Sequence, residues 1–188
     1  MDTTWMIVII VVAVIVVALL ALTVQRTARR RRLQERFGPE YERTVEQGAS
    51  RRQAERDLAA REERHEGLQI RALPPTVRDR YARDWNGVQE RFVDDPDRAL
   101  DEADRLVTAL MSERGYPTEG YEQQARDLSV EHSRTLEHYR IAHEINGRAG
   151  GRGTSTEELR SAMVHYRALF EELLKDGATP SDDGGRQA

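Results

Sequence analysis

"DDPDRALDEADRLVTALMSERG", Asp94 to Gly115, carries both ends of a helix and the face that it buries. Asp95 suits the N-cap, Pro96 the first helical position, and acids fill the first turn, while Gly115 supplies a left-handed stop. Between them Leu100, Ala103, Leu106, Val107, Leu110 and Met111 recur at intervals of one to three residues and form one apolar stripe. A capped helix with one apolar stripe needs partners to cover it. The flanking sequence supplies three.

Upstream, Val77, Tyr81, Trp85, Val88 and Phe92 are spaced along one face of a helix expected from about Thr76 to Val93. Downstream, a third helix is expected over Glu119 to Asn146, with Tyr121, Ala125, Leu128, His132, Leu136, Tyr139 and His143 within one arc. "NGRAGGRGTST" ends it, and Thr154 or Ser155 followed by Glu157 or Glu158 gives a capping box for a fourth helix. That helix carries Leu159, Met163, Tyr166, Leu169, Phe170, Leu173 and Leu174. Short connections between four amphipathic helices predict an all-α fold, an antiparallel four-helix bundle over residues 73–177, with a disordered tail at 178–188.

Ahead of the bundle, residues 37–72 are expected to form a charged helical spacer and linker. "FGPEYERTVEQ" breaks at Gly38 and Pro39, and "SRRQAERDLAAREERHEG" is dense in Glu, Arg and Ala. Glu and Arg three or four apart support a solvated helix, and a helix polar all round has no core to join. Weak coiled-coil self-association is the alternative, although no sustained seam of apolar residues runs through it. "GLQIRALPP", Gly67 to Pro75, reads as an extended linker enforced by two prolines.

The N-terminal segment, residues 1–25, is different material. "WMIVIIVVAVIVVALLALTV", Trp5 to Val24, holds no charge and at about 1.5 Å per residue spans roughly 30 Å, the thickness of bilayer hydrocarbon. A transmembrane helix is therefore expected there, with Trp5 at a headgroup rim. A cleaved signal peptide, the rival reading, would need a basic residue in "MDTT", which has none, and a cleavage site in "ALTVQRT", which offers no convincing A-x-A. Residues 26–36 carry six Arg against one Glu. An arginine excess beside a membrane helix marks the cytoplasmic side, so the N-terminus is expected outside and residues 26–188 inside a cell membrane crossed once. Arg26, Arg29, Arg30, Arg31 and Arg32 are accordingly candidates for contact with anionic lipid headgroups.

Charge and motif content narrow the function. Residues 73–177 hold 15 Lys or Arg and 21 Asp or Glu, a net of −6, which disfavours nucleic acid as a partner. Cysteine is absent, which excludes thiolate chemistry and disulfides. The only E-x-x-H, Glu62 to His65, lies in the spacer, so the paired motif of a di-iron bundle is missing. His132 and His143 lie some 16 Å apart along one helix, too far to share a metal, although His165 on the fourth helix can approach either. These three are weak metal candidates, and the reading names no cofactor and no catalytic residue. "GRAGGRG" lacks the strand and the G-K-[ST] of a phosphate loop and reads as a hairpin.

"RALPPTVRDRYARDWNGVQERFVDDP", "ADRLVTALMSERGYP", "LSVEHSRTLEHYRIAHEI" and "STEELRSAMVHYRALFEELL" resemble a family of uncharacterised single-pass membrane proteins of high-GC bacteria. The resemblance implies one membrane helix and a C-terminal helical domain, and carries over no activity. The expected function is a membrane-anchored interaction or scaffold module without catalysis, bound to an unidentified protein partner. The alternatives are a small-ligand or metal-sensing bundle using the His/Tyr face of the third helix, and a cell-division or envelope scaffold, the latter by analogy of layout.

Overall fold

The computed structural model describes residues 3–149 and 154–175, apart from the side chains of residues 3, 4, 6–10 and 26. Every regular element among them is a helix: α1 (Thr3–Phe37), α2 (Pro39–Gln47), α3 (Arg51–Glu66), α4 (Pro75–Arg91), α5 (Pro96–Arg114), α6 (Tyr121–Glu131), α7 (Leu136–Arg148) and α8 (Thr156–Lys175). The all-α reading therefore holds. Contacts divide the chain into two compact units, Met1–Ala59 and Ala60–Ala188. The expected tail at 178–188 and part of the "GRAGGRG" hairpin lie outside the described residues.

In the first unit α1 is long and apolar enough to cross a membrane. Its described apolar side chains from Val11 to Val24 are all exposed, and burial begins only past the arginines, at Leu33 and Phe37. Gly38, at φ 47°, turns the chain, and Pro39 opens α2 as the sequence implies. The reading of the spacer as polar all round, with no core to join, is corrected here. Phe37, Tyr41, Ala54 and Leu58 are buried, and the Tyr41 hydroxyl donates to Glu55 Oε1 at 2.9 Å, tying α2 to α3. These buried positions are few and divided among three helices, so no one helix shows a stripe.

In the second unit α4, α5, α7 and α8 pack around Tyr81, Trp85, Leu100, Val107, Leu110, Leu136, Tyr139, Tyr166, Leu169 and Leu173. Trp85 of α4 stacks on Phe170 of α8 at 4.6 Å between ring centroids. The caps form as the sequence implies. Asp95 accepts from the Arg98 backbone N–H at 3.2 Å, while Ser155 and Glu158 bond reciprocally at 3.2 and 2.8 Å. Gly115 takes the left-handed φ of 96° beside the linker, whose Arg71 N–H donates to the Arg114 carbonyl at 2.9 Å. Buried Arg114 reaches the Leu173 carbonyl at 2.8 Å and so satisfies a C-terminal acceptor of α8.

Two further expectations are corrected. The third helix is not continuous: it breaks between α6 and α7, where the Thr135 and Leu136 N–H groups both turn back to the His132 carbonyl. Ser129 and Thr135 hydroxyls bond backbone carbonyls at the same place, the local competition that disfavours an uninterrupted helix. The expected arc survives the break, because Ala125, Leu128, His132, Leu136 and Tyr139 are all buried. The C-terminal end of α3 is not free spacer either. Arg64 Nε donates to Asp127 Oδ1 at 3.1 Å, and Asp127 is buried.

Candidate functional site

Where α5, α6 and α7 meet, polar and aromatic side chains face an open cleft of about 440 Å³. Asp104, Thr108 and Ser112 lie four residues apart along α5, so helical geometry brings them to one side. Thr118 precedes α6, which adds Tyr121 and Gln124, and α7 adds Tyr139 and His143. The wall is prearranged by its own bonds. Tyr139 donates to Gln124 Oε1 at 2.6 Å, and Gln124 Nε2 donates to the Thr118 carbonyl at 3.3 Å. Tyr121 lies flat on the His143 ring, 3.9 Å between centroids and 5° between planes. From α8, Tyr166 donates to Asp104 Oδ1 at 2.8 Å.

Electrostatics fix the roles of these groups. Burial first, then the nearby Asp104 carboxylate, pushes the Tyr139 hydroxyl far above its ordinary value, and the same two causes act on Tyr166, with its bond to Asp104 adding to them. Both tyrosines therefore stay neutral phenols and serve as donors. His143 Nδ1 is buried without a hydrogen-bond partner, and Asp104 Oδ1 stands 3.7 Å away, beyond hydrogen-bond reach. A carboxylate acceptor, an imidazole nitrogen and several hydroxyls thus converge on one polar concavity.

His132 lies elsewhere, in a buried network. Its Nδ1 is 2.7 Å from Glu172 Oε1 and its Nε2 is 3.1 Å from the Tyr116 hydroxyl. A carboxylate only accepts, so Nδ1 carries the hydrogen, while the Tyr116 hydroxyl beside Nε2 has a single hydrogen and also lies within donating distance of Glu131 Oε2, at 3.2 Å. The bond from His132 holds the Glu172 carboxyl below the usual carboxylate range against the opposing effect of burial. His65 also packs against Tyr116, with 6.1 Å between ring centroids. His165 meets neither His132 nor His143. Its Nδ1 lies 2.7 Å from His138 Nδ1, so one ring donates and the other accepts. Burial, and then His138, lowers the pKa of His165.

The three histidines singled out by sequence therefore join three different sets of partners. Among the described residues no three His, Asp or Glu side chains are placed to hold one metal ion. Arg29 to Arg32 follow the apolar run on α1, while the side chain of Arg26 lies outside the described residues. Sequence reasoning missed Asp104, Thr108 and Gln124 in the cleft, and Glu172 beside His132, while Tyr116 reads from sequence as a core tyrosine and is buried. Only the placing of Asp104 beside the α5 stripe hinted at a role near the interface. Comparison with family models, with curated proteins and with solved structures gives no match.

Proposed function

We propose that the chain is a single-pass membrane protein, N-terminus outside, that holds a non-catalytic helical binding module in the cytoplasm. The observation that carries this reading is the apolar run of α1, with Val14, Val17 and Val24 62%, 65% and 67% exposed. So large a continuous apolar surface is not sustained in water, and lipid is the solvent that accepts it. The arginines that follow support the inward placing of the folded part and give it anionic headgroups as a first partner. The bacterial single-pass family that the sequence resembles accords with this reading. Since the chain has no cysteine, single cysteines placed at Thr3 and at Ser181 can each be labelled alone. Alkaline washing is expected to leave the chain in membranes. A membrane-impermeant thiol reagent is expected to reach Cys at position 3 in intact cells and to reach Cys at position 181 only after permeabilisation. Reaction at 181 in intact cells overturns the orientation, and release by alkali overturns the anchoring.

A second reading, a small-ligand sensor, is favoured by His143 Nδ1, which makes no hydrogen bond within the protein, in a cleft already shaped by hydrogen bonds. A polar small molecule that raises the unfolding temperature of the wild-type chain but not of His143→Ala supports it. Zinc, iron or heme retained at one equivalent and lost in the same variant makes the ligand a metal or metallocofactor.

A further inference from the structure

The first unit gathers arginines that the sequence keeps far apart. Arg29 and Arg30 of α1 and Arg51, Arg52 and Arg56 of α3, with Thr27 and Glu55, line one cavity of about 590 Å³. Five guanidinium groups face one carboxylate there, a local charge of +4, and that carboxylate already accepts the Tyr41 hydroxyl at 2.9 Å. Arg30 Nε is buried and has no hydrogen-bond partner within the protein. Like charges held this close repel, and a buried donor left unpaired costs further free energy. Both are relieved by the same thing, an anion seated among the arginines.

We propose that this cavity binds an anion carrying two or more charges on phosphate oxygens. Guanidinium forks match phosphate oxygens in pairs, and a charge of +4 is poorly matched by a single monoanion. The place indicates the source. Thr27 and Arg30 lie about 5 and 9 Å beyond Val24 along α1, which puts Thr27 within a headgroup layer about 5–8 Å deep and Arg30 just past its outer edge, within side-chain reach of it. The headgroup of a phospholipid with more than one phosphate charge meets the cavity there, and a soluble organic polyphosphate has the same chemistry. The lipid source rests on the membrane reading above, whereas the phosphate chemistry of the cavity does not. Arg51, Arg52 and Arg56 turn a diffuse basic patch on α1 into a walled site.

The test uses the full chain in phosphatidylcholine nanodiscs containing either diphosphatidylglycerol or phosphatidylglycerol at equal total charge, with retained lipid read by native mass spectrometry. A second arm titrates inositol hexakisphosphate into the detergent-solubilised protein by calorimetry. The wild type is expected to keep diphosphatidylglycerol in preference to phosphatidylglycerol. Arg51→Gln/Arg52→Gln/Arg56→Gln is expected to weaken that retention roughly tenfold or more while the α1 arginines and membrane insertion remain. Arg30→Lys, which keeps the charge and removes the fork, is expected to weaken binding severalfold, and serves where the triple variant fails to fold. Hexakisphosphate binding lost in these variants, without lipid preference, assigns the site to a soluble ligand. Binding that is absent in the wild type, or unchanged in both variants, overturns the proposal. Extraction of the chain by alkali defeats the membrane reading alone, and the calorimetric arm still decides the site.

Discussion

At Glu172 the hydrogen bond from His132 depresses the carboxyl pKa below its ordinary value of 4.5. The unfolded chain therefore takes up this proton first as pH falls, so the contribution to stability is complete above 4.5 and is lost as pH falls through the lower folded value. Glu172→Gln is expected to flatten the acid limb of a plot of urea midpoint against pH, and an unchanged limb means that the network contributes nothing there. His165 is shifted the same way for a different reason. Its lowered pKa means that the folded state resists a proton that the unfolded chain accepts below 6.5, so its contribution is complete above that value and erodes as pH falls. His165→Gln is expected to reduce the loss of stability between about pH 7.5 and 5.5, measured by chemical denaturation. Neither pairing was legible in the sequence. Periodicity places His132 correctly on the buried arc and His143 at its half-exposed edge, yet it cannot say which polar groups meet across helices. Tyr166 and Asp104 are 62 residues apart, and only the packed fold brings them together.

Elements with local signals were readable to their ends. The Asp95 cap, the Ser155 and Glu158 box and the Gly115 stop are set by neighbours in sequence, and all three form. Gly115 has a second role that no local pattern shows. A Cβ at that position would run into the Gln69 carbonyl oxygen, and its φ of 96° is strained for any other residue. Gly115→Ala is therefore expected to cost more than about 2 kcal/mol, whereas Asp95→Ala is expected to cost about 1 kcal/mol. Thermal or urea denaturation of the second unit compares them, and equal costs mean that the linker gives way freely. The break at His132 was hidden because α6 and α7 bury residues on a common arc, so the apolar pattern runs on where the backbone does not.

For the molecule as a whole, the revised role of α3 makes its own prediction. A fragment of residues 60–177 is expected to be soluble, helical and cooperative in unfolding, and more stable than residues 68–177 by on the order of 1–3 kcal/mol. The shorter fragment loses the Arg64 bond to buried Asp127 and the ring contact of His65 with Tyr116. Equal stability in calorimetry would mean that the end of α3 only rests on α6. The spacer was the least legible part of the chain, because its five buried apolar residues form two short i, i+4 runs, Leu33, Phe37 and Tyr41 and then Ala54 and Leu58, which helix breaks divide so that no one helix carries a full stripe. The continuity of α1 from Thr3 to Phe37 sets a mechanical condition on everything near it. The exposed apolar turns and the folded turns share one screw axis, and the first break in that screw is Gly38. One residue inserted between Val24 and Arg29 would swing Leu33 and Phe37 by about 100° and advance them about 1.5 Å. Torque or tilt applied to the apolar span of α1 therefore reaches Leu33 and Phe37 without an intervening swivel, as in a key turned by its shaft, and Gly38 is where α2 is released from it.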